Sequence, residues 1–207
     1  LNNPTDYSVN EIVGSCLNSL QDNNQTSIAL YNYFGHNTVL KASATLPFSS
    51  KRKLSAVTFD EIGTIAIGAP EFVLQSLPDK ISRIINQYAS MGLRVLMVAH
   101  SNGKLAGDRL PSGFKPLAII SIADNIRDDA AQTIRWFKEN DVAIKIISGD
   151  NPVTVAEVAR RVGVNNADKY ISLEGLNDKE VASVANKYTV FGRVTPEQKA
   201  ILVKTIK

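Results

Sequence analysis

Residues 144–163 read IKIISGDNPVTVAEVARRVG, and they are the clearest indication of how the second half of the chain folds. An apolar, largely β-branched run stops at Ser148-Gly149-Asp150 and continues with helical spacing, which predicts a buried strand, a turn and a helix. The turn places a hydroxyl, a bare backbone N–H and a carboxylate at the carboxyl end of a strand, where open α/β sheets bind ligands. These groups suit a phosphoryl group and a metal ion.

Residues 192–199, GRVTPEQK, have a similar strand, turn and helix pattern, with Arg193 in the turn and Lys199 about one turn into the helix. An ammonium group at Lys199 can lean back over the strand ends and neutralise a phosphate. A solvated helix lysine is the plainer alternative. In the first stretch, Asp150 or Asn151 can likewise do no more than cap the helix that follows. Both alternatives remain open at this level.

Composition describes an ordinary globular protein of one large or two small domains, with 207 residues, 44% hydrophobic and 21% charged. The net charge of +3 is spread along the chain without a basic block, which argues against a nucleic-acid partner. The single cysteine, Cys16, excludes an internal disulfide and suits an apolar helix face. No apolar run approaches the thickness of a bilayer, so a soluble, cytosolic chain is expected.

The first half alternates few helices with short strands and turns, which predicts an antiparallel sheet with helices packed on it. Predicted helices span 9–20, 26–34 and 79–90. Predicted strands span 38–46, 53–59, 64–67, 93–100 and 115–123, the last of them buried.

The pattern changes after Ala123, where helices begin to alternate with apolar strands as in a parallel sheet with crossover helices. Predicted helices span 128–139, 152–162, 178–187 and 196–207, and predicted strands span 142–147, a short segment near Tyr170, and 189–191. Trp136 is expected to pack in the core. The sequence therefore predicts an antiparallel α+β domain at 1–123 and a parallel α/β domain at 124–207.

Two further stretches are candidates for binding. Phe48 stands beside the cations Lys51, Arg52 and Lys53, and an aromatic face with cations suits a nucleotide, although a charged edge strand predicts much the same residues. The segment 124–127 at the domain junction is either an ion pair or cap that holds a hinge, or a plain turn. The two histidines, at positions 36 and 100, have no metal-ligand spacing around them and are expected to be structural.

Taken in order, these stretches resemble the cytoplasmic region of P-type cation-transporting ATPases, from Leu46 to the end of the chain. The resemblance lies in PFSSKRKLSAV, IGAPEFVL, GLRVLMVA, DNIRDDAAQTI, ISGDNPVTVAEVARRVGV and FGRVTPEQKAILV. It implies a nucleotide-binding domain inserted into a haloacid-dehalogenase-like phosphorylation domain, with ATP and Mg²⁺ as cofactors. It also implies that the rest of the pump is a partner, at the cytoplasmic face of the cell membrane.

The resemblance assigns roles to named residues. On the nucleotide side it implies adenine stacking, phosphate contacts and pocket lining by Phe48, Arg52, Lys53, Gly68, Ala69 and Arg94. At the phosphoryl site it implies that Ser148, Gly149 and Asp150 hold the transferred group while Lys199, with Arg193 as its companion, neutralises the charge. The hinge motif is matched by Asp124 and Arg127, with Asn125 where the family has proline.

Two departures from the family shape the expected function. Ile67 replaces the lysine of the family's Lys-Gly-Ala-Pro-Glu, so weak nucleotide binding is expected. The sequences Asp-Lys-Thr-Gly-Thr and Gly-Asp-Gly-Val-Asn-Asp do not occur, so a catalytically silent fragment is expected, of a pump related to bacterial calcium and magnesium transporters. The alternatives are a noncatalytic nucleotide-binding or regulatory module and a soluble phosphatase of the haloacid dehalogenase superfamily.

Overall fold

The structure is a computed structural model that describes residues 3–35, 38–74, 76–123 and 126–206. Its residue contacts divide the chain into two compact units. Unit 1 comprises Leu1–Ile81 and Val95–Ile122, and unit 2 comprises Ser82–Arg94 and Ala123–Lys207. The segment that carries Arg94 therefore belongs to the same unit as the Ser148–Asp150 turn. The division into two functional domains after Ala123 stays a prediction.

Unit 1 contains a five-stranded sheet whose strands lie side by side in chain order. The strands are β1 (Ala42–Leu46), β2 (Leu54–Phe59), β3 (Gly63–Gly68), β4 (Leu93–Ser101) and β5 (Lys115–Ala123). The pairs β1 with β2, β2 with β3, and β3 with β4 are antiparallel. Short connections between β1, β2 and β3 favour this arrangement, because an antiparallel pair needs only a tight turn.

Two amphipathic helices, α1 (Val9–Leu20) and α2 (Gln25–Phe34), contribute to the same hydrophobic core as the sheet. Helix α1 begins at Ser8, whose side chain and that of Glu11 cap it reciprocally. Cys16 is fully buried in this core, as its position on the apolar face predicts, and burial raises the pKa of its thiol. The helices α3 (Pro70–Val73) and α4 (Asp79–Ser90) follow β3.

Unit 2 contains a three-stranded parallel sheet in the order β6, β8, β7. Its elements in chain order are α5 (Ala130–Glu139), β6 (Ile146–Ile147), α6 (Pro152–Arg161), β7 (Tyr170–Ser172), α7 (Asp178–Val184), β8 (Val190–Gly192) and α8 (Pro196–Thr205). Strands that run parallel need crossover helices between them, which α6 and α7 supply. The predicted fold class, an antiparallel α+β part followed by a parallel α/β part, is confirmed.

Two predictions about burial are wrong. Strand β5 lies at the edge of its sheet, and Leu117 is the one residue of β5 that is buried, so an apolar run here marks an edge strand. Trp136 is 56% exposed, whereas Ile134 packs against the core beside β8. Residues two positions apart lie on opposite sides of a helix, so burying Ile134 turns the Trp136 ring outward.

Two strands are shorter than predicted. The strand predicted at 38–46 begins at Ala42, and the strand predicted at 142–147 is reduced to Ile146–Ile147. Apolar and β-branched residues favour extended backbone, but the hydrogen-bonded pairing that defines a strand depends on where the partner strand lies.

Candidate functional site

The turn between β6 and α6 is the centre of the candidate site. Asn151 is the N-cap of α6, since its side-chain oxygen accepts a hydrogen bond of 2.9 Å from the Val153 N–H. Pro152 follows at the first helical position, where a missing N–H costs nothing. Asn151 is therefore the capping residue, and the Asp150 carboxylate is not used as the cap.

The Asp150 carboxylate contacts two side chains. Its Oδ2 lies 3.1 Å from the Arg94 Nη2 and accepts a hydrogen bond of 3.3 Å from the Ser148 hydroxyl. The Ser148 Oγ in turn accepts a bond of 3.1 Å from the Asp150 N–H. The structure thus brings Ser148 and Asp150 together with Arg94, although Arg94 and Asp150 are 56 positions apart in the sequence. The site has a cation beside a hydroxyl, which is a combination that binds phosphoryl oxygens.

The end of β8 and the segment that follows it hold this turn through hydrogen bonds to its backbone. Ser148 N–H donates to the Phe191 carbonyl at 2.9 Å, and the Ser148 carbonyl accepts from Val194 N–H at 3.0 Å. The Arg193 N–H donates to the Asp150 carbonyl at 2.8 Å, and its Nη1 lies 3.4 Å from the Gly149 carbonyl oxygen. Arg193 is 8% exposed, so the structure places it under the turn.

Gly192 is a residue of this site whose role the sequence did not indicate beforehand. A Cβ added there would lie 2.5 Å from both the Cα and the backbone nitrogen of Pro152, closer than side chains tolerate. The end of β8 therefore packs directly against the start of α6. The available signal was a glycine directly after the predicted strand 189–191.

Helix α8 begins four residues after β8 ends. In its first turn, Gln198 is buried and Lys199 is exposed. Thr195 and Gln198 form a reciprocal capping box, and the buried Gln198 amide donates to the carbonyl of Leu173 at 2.8 Å. Lys199, one position further, is exposed. Within the described residues its ammonium group forms no ion pair, so the structure leaves Lys199 in the solvated arrangement that the sequence allowed.

The candidate nucleotide surface lies in unit 1, in the turn between β1 and β2. The Phe48 ring is 47% exposed, as a stacking surface requires. Arg52 is partly held, since its Nη2 donates to the Pro47 carbonyl at 3.0 Å and its Nη1 lies 3.9 Å from the exposed Asp108. The turn therefore presents an aromatic ring and a guanidinium together.

The same turn is attached to the end of β3. Lys53 has φ of 55°, its N–H donates to the Ser49 carbonyl at 2.8 Å, and its carbonyl accepts from Ala69 N–H at 2.9 Å. Gly68 pairs with Leu54, and a Cβ on Gly68 would lie 2.4 Å from the Leu54 Cβ. Lys53, Gly68 and Ala69 are thus neighbours, and their role in a nucleotide pocket stays a prediction.

Ile67 occupies the position of the family's lysine. It is 7% exposed and belongs to the core cluster that includes Phe59 and Ile65. The side chain at this position therefore packs inward, so the departure from the family pattern contributes apolar burial to unit 1.

Of the two hinge candidates, Asp124 lies outside the described residues. Arg127 is exposed, and its Nε and Nη2 donate to the two carboxylate oxygens of Asp129 at 3.0 and 2.7 Å. The hydrogen bond from Arg127 lowers the pKa of the Asp129 carboxyl. Arg127 is therefore engaged at the start of α5.

Metal-binding and membrane features were searched over the described ranges. Within them, no three His, Cys, Asp or Glu side chains come together as a metal ion requires. None of the helices in those ranges combines the length and apolar character needed to span a bilayer. A cleft of about 490 Å³ in unit 1 lies between residues 4–7 and the turn that joins β2 to β3, and none of the predicted site residues line it.

Comparison with known proteins gives two findings. The model of the haloacid dehalogenase-like hydrolase family matches residues 54–207. A probable cation-transporting ATPase of Streptococcus pneumoniae is 35% identical over 203 residues, which cover 95% of this chain and 26% of that protein.

Two other relatives are named for the cation that they transport. A calcium-transporting ATPase of Mycobacterium bovis is 33% identical over 166 residues, which cover 80% of this chain and 21% of that protein. A P-type magnesium-transporting ATPase of Salmonella typhimurium is 31% identical over 134 residues, which cover 58% of this chain and 14% of that protein. The predicted resemblance to P-type cation-transporting ATPases is confirmed, and the chain spans about a quarter or less of the length of these relatives.

Proposed function

This chain belongs to the haloacid dehalogenase-like hydrolase family, and we propose that it is the nucleotide-binding and phosphoryl-holding region of an ATP-driven cation pump. The parent protein binds ATP, transfers the terminal phosphoryl group to an aspartate and couples this cycle to transport of a cation of calcium or magnesium type. The observation that carries the proposal is the arrangement of Ser148, Gly149 and Asp150 at the end of β6, beside Arg94.

The backbone of this turn supports a phosphoryl-binding role. In a trans peptide the N–H and C=O point in opposite directions. The carbonyls of Ser148 and Gly149 are bonded to the segment after β8, so the N–H groups of Gly149 and Asp150 face away from it. Successive outward N–H groups at a helix N-terminus bind anions. The Gly149 N–H and the Ser148 hydroxyl would hold phosphoryl oxygens there.

Positive charge would come from two side chains. Arg94 contacts Asp150, and its guanidinium would turn to the phosphates of ATP when the nucleotide enters. Lys199, exposed on the first turn of α8, would neutralise the transferred group. Phosphoryl transfer depends mainly on positioning and charge neutralisation, which is the chemistry that these groups offer.

The nucleotide would bind in unit 1. Adenine would stack on the exposed Phe48 ring, with Arg52 and Lys53 near the nucleotide and the Gly68-Ala69 turn lining the pocket. The cation that the family places before Gly68 is replaced by the buried Ile67, so affinity for ATP should be low.

The described residues do not fit Mg²⁺, because they contain no cluster of three ligating side chains and Asp150 is engaged by Arg94. The chain also lacks the Asp-Lys-Thr-Gly-Thr sequence that supplies the nucleophile in the family. We infer that the nucleophile and metal ligands belong to other parts of the parent pump, and that this chain is catalytically silent.

One set of measurements tests the proposal. Titration with inorganic phosphate, followed by two-dimensional NMR, should shift the amide resonances of Ser148, Gly149 and Asp150 and leave the exposed face of α5 unchanged. Titration with ATP should shift amides near Phe48. An absence of both responses at millimolar ligand would contradict the proposal.

Two controls distinguish the proposed function from the alternative functions. Incubation with labelled ATP and Mg²⁺ should give no acid-stable, hydroxylamine-sensitive label. Turnover of p-nitrophenyl phosphate would favour a self-contained phosphatase of the same family, and ATP shifts near Phe48 without phosphate shifts at Gly149 would favour a noncatalytic nucleotide-binding module.

A further inference from the structure

We propose that Arg193 is a positioning residue that shapes the Ser148–Asp150 turn from inside unit 2, a role that rests on the proposed phosphoryl-binding function. The resemblance to the pumps implies a different role, in which Arg193 accompanies Lys199 at the phosphate. Burial separates the two residues, because Arg193 is 8% exposed while Lys199 lies on the surface of α8.

The contacts of the segment after β8 fall on three consecutive carbonyls of the turn. Val194 N–H binds the Ser148 carbonyl at 3.0 Å, the Arg193 Nη1 lies 3.4 Å from the Gly149 carbonyl, and Arg193 N–H binds the Asp150 carbonyl at 2.8 Å. Arg193 thus provides two of the three donors, one from its backbone and one from its side chain.

These bonds set the direction of the peptide planes. When a carbonyl is drawn toward Arg193, the N–H of the same trans peptide points the opposite way. The Gly149 contact therefore directs the Asp150 N–H outward, where it reaches the Ser148 Oγ at 3.1 Å. The Asp150 contact directs the Asn151 N–H in the same manner. Arg193 in this way holds the Asp150 N–H on the Ser148 Oγ, and so positions the Ser148 hydroxyl for an anion that Arg193 does not itself touch.

The backbone conformation of Arg193 is one that a residue other than glycine rarely adopts. Its φ is 54°, in the left-handed region where glycine is the usual residue. An arginine at such a position has to be compensated, and the guanidinium contact with the Gly149 carbonyl is a gain that glycine cannot provide. A glycine variant therefore keeps the favoured backbone and removes the guanidinium together with its contact to the Gly149 carbonyl.

The test compares three variants of the whole chain by NMR and by titration with inorganic phosphate. Arg193→Gly removes the guanidinium, Arg193→Lys keeps a cation long enough to approach the Gly149 carbonyl, and Arg135→Ala removes one charge from an exposed position of α5 as the control. Free-state amide and carbonyl resonances of Gly149 and Asp150 report the turn, phosphate affinity reports the site, and thermal unfolding reports stability.

We expect Arg193→Gly to shift the free-state resonances of Gly149 and Asp150 and to weaken phosphate binding about fivefold, as loss of one hydrogen bond does. Arg193→Lys should largely restore the wild-type resonances and the wild-type phosphate affinity. Arg135→Ala should match the wild type in both. Recovery by lysine is not expected if the residue only adds bulk to the core.

Two results would overturn the proposal. One is weaker phosphate binding by Arg193→Gly with unchanged free-state resonances at Gly149 and Asp150, which would mean direct contact with the anion. The other is a lower unfolding temperature with unchanged resonances and affinity, which would mean a purely structural role. If Arg193→Gly does not fold, Arg193→Lys still decides: it should keep the wild-type resonances of Gly149 and Asp150, and large shifts at both would overturn the proposal.

Failure of the proposed function gives a different result. A wild-type chain whose Gly149 amide does not respond to phosphate contradicts the phosphoryl-binding role. The free-state shift caused by Arg193→Gly still decides whether Arg193 shapes the turn, because that measurement needs no ligand.

Discussion

The two candidate sites in this chain are constructed in different ways. The Ser148–Asp150 turn in unit 2 is held by backbone bonds to residues more than forty positions away, with Arg193 buried beneath it. The Phe48–Lys53 turn in unit 1 has its bonds mainly within itself and carries an exposed ring. Changes around the first turn should therefore affect folding together with binding, whereas changes in the second should affect binding alone.

The largest effect is expected at Gly192. Gly192→Ala places a methyl group 2.5 Å from the backbone of Pro152, and such overpacking should lower the free energy of unfolding of unit 2 by about 3 kcal/mol. Urea denaturation monitored by circular dichroism measures this value. The control is Gly175→Ala, where nothing lies within 4 Å and only the positive φ of 77° opposes the substitution, at about 1 kcal/mol. Equal losses in the two variants would contradict direct packing of β8 on α6.

A second effect is expected at Ile67, where folding and binding can be separated. Ile67→Lys introduces the cation typical of the family at a position that is 7% exposed, and should lower the free energy of unfolding of unit 1 by about 2 kcal/mol. Because the side chain packs inward, ATP affinity should not increase. Ile67→Val is the control for lost volume. Stronger ATP binding by Ile67→Lys at unchanged stability would show that this side chain reaches the pocket instead of the core.

A smaller effect, confined to binding, is expected at Phe48. Phe48→Ala should weaken ATP binding by about 1 to 2 kcal/mol, the range of one base stacked on an aromatic ring, with little change in thermal stability. Calorimetric or NMR titration measures the affinity. Tyr33→Ala removes an exposed aromatic ring of the same unit that is not part of the turn. A matching loss of ATP affinity in Tyr33→Ala would mean that the stacking assignment is wrong.

The smallest expected effect is a loss of stability of unit 2 at acid pH. The hydrogen bond from Arg160, together with one from Arg161, lowers the pKa of Glu157 from 4.5 to about 2. Because the folded pKa lies below the unfolded one, this stabilisation is complete above pH 4.5 and is lost as the pH falls toward 2, in total about 1 kcal/mol for a pair near the surface.

Unfolding curves between pH 2 and 5 measure this loss. Glu157→Gln should remove the acid-dependent part, and the exposed Glu139→Gln should keep it. A pH dependence that survives in Glu157→Gln would assign it to another group.

Local chemistry in the sequence was sufficient for the order and type of the elements. The capping residue Thr195, the proline at position 196 and the spacing of apolar residues along α1 and α6 predict helices whose ends differ by at most two residues from those observed. The buried Cys16 was likewise predictable, because its burial depends on which face of one helix it occupies. The outward position of Trp136 and the shortened β6 were not, since both depend on where neighbouring elements pack.

From residue types alone, the chain could be recognised as an antiparallel part followed by a parallel one, with a candidate phosphoryl-binding turn at Ser148–Asp150. Propensity, capping and periodicity act over a few residues and are written directly in the sequence. The partners of that turn depend on folding: Arg94 meets Asp150 across 56 positions, and Arg193 lies beneath Gly149 across 44. Such contacts depend on how strands and helices pack, which no local pattern specifies.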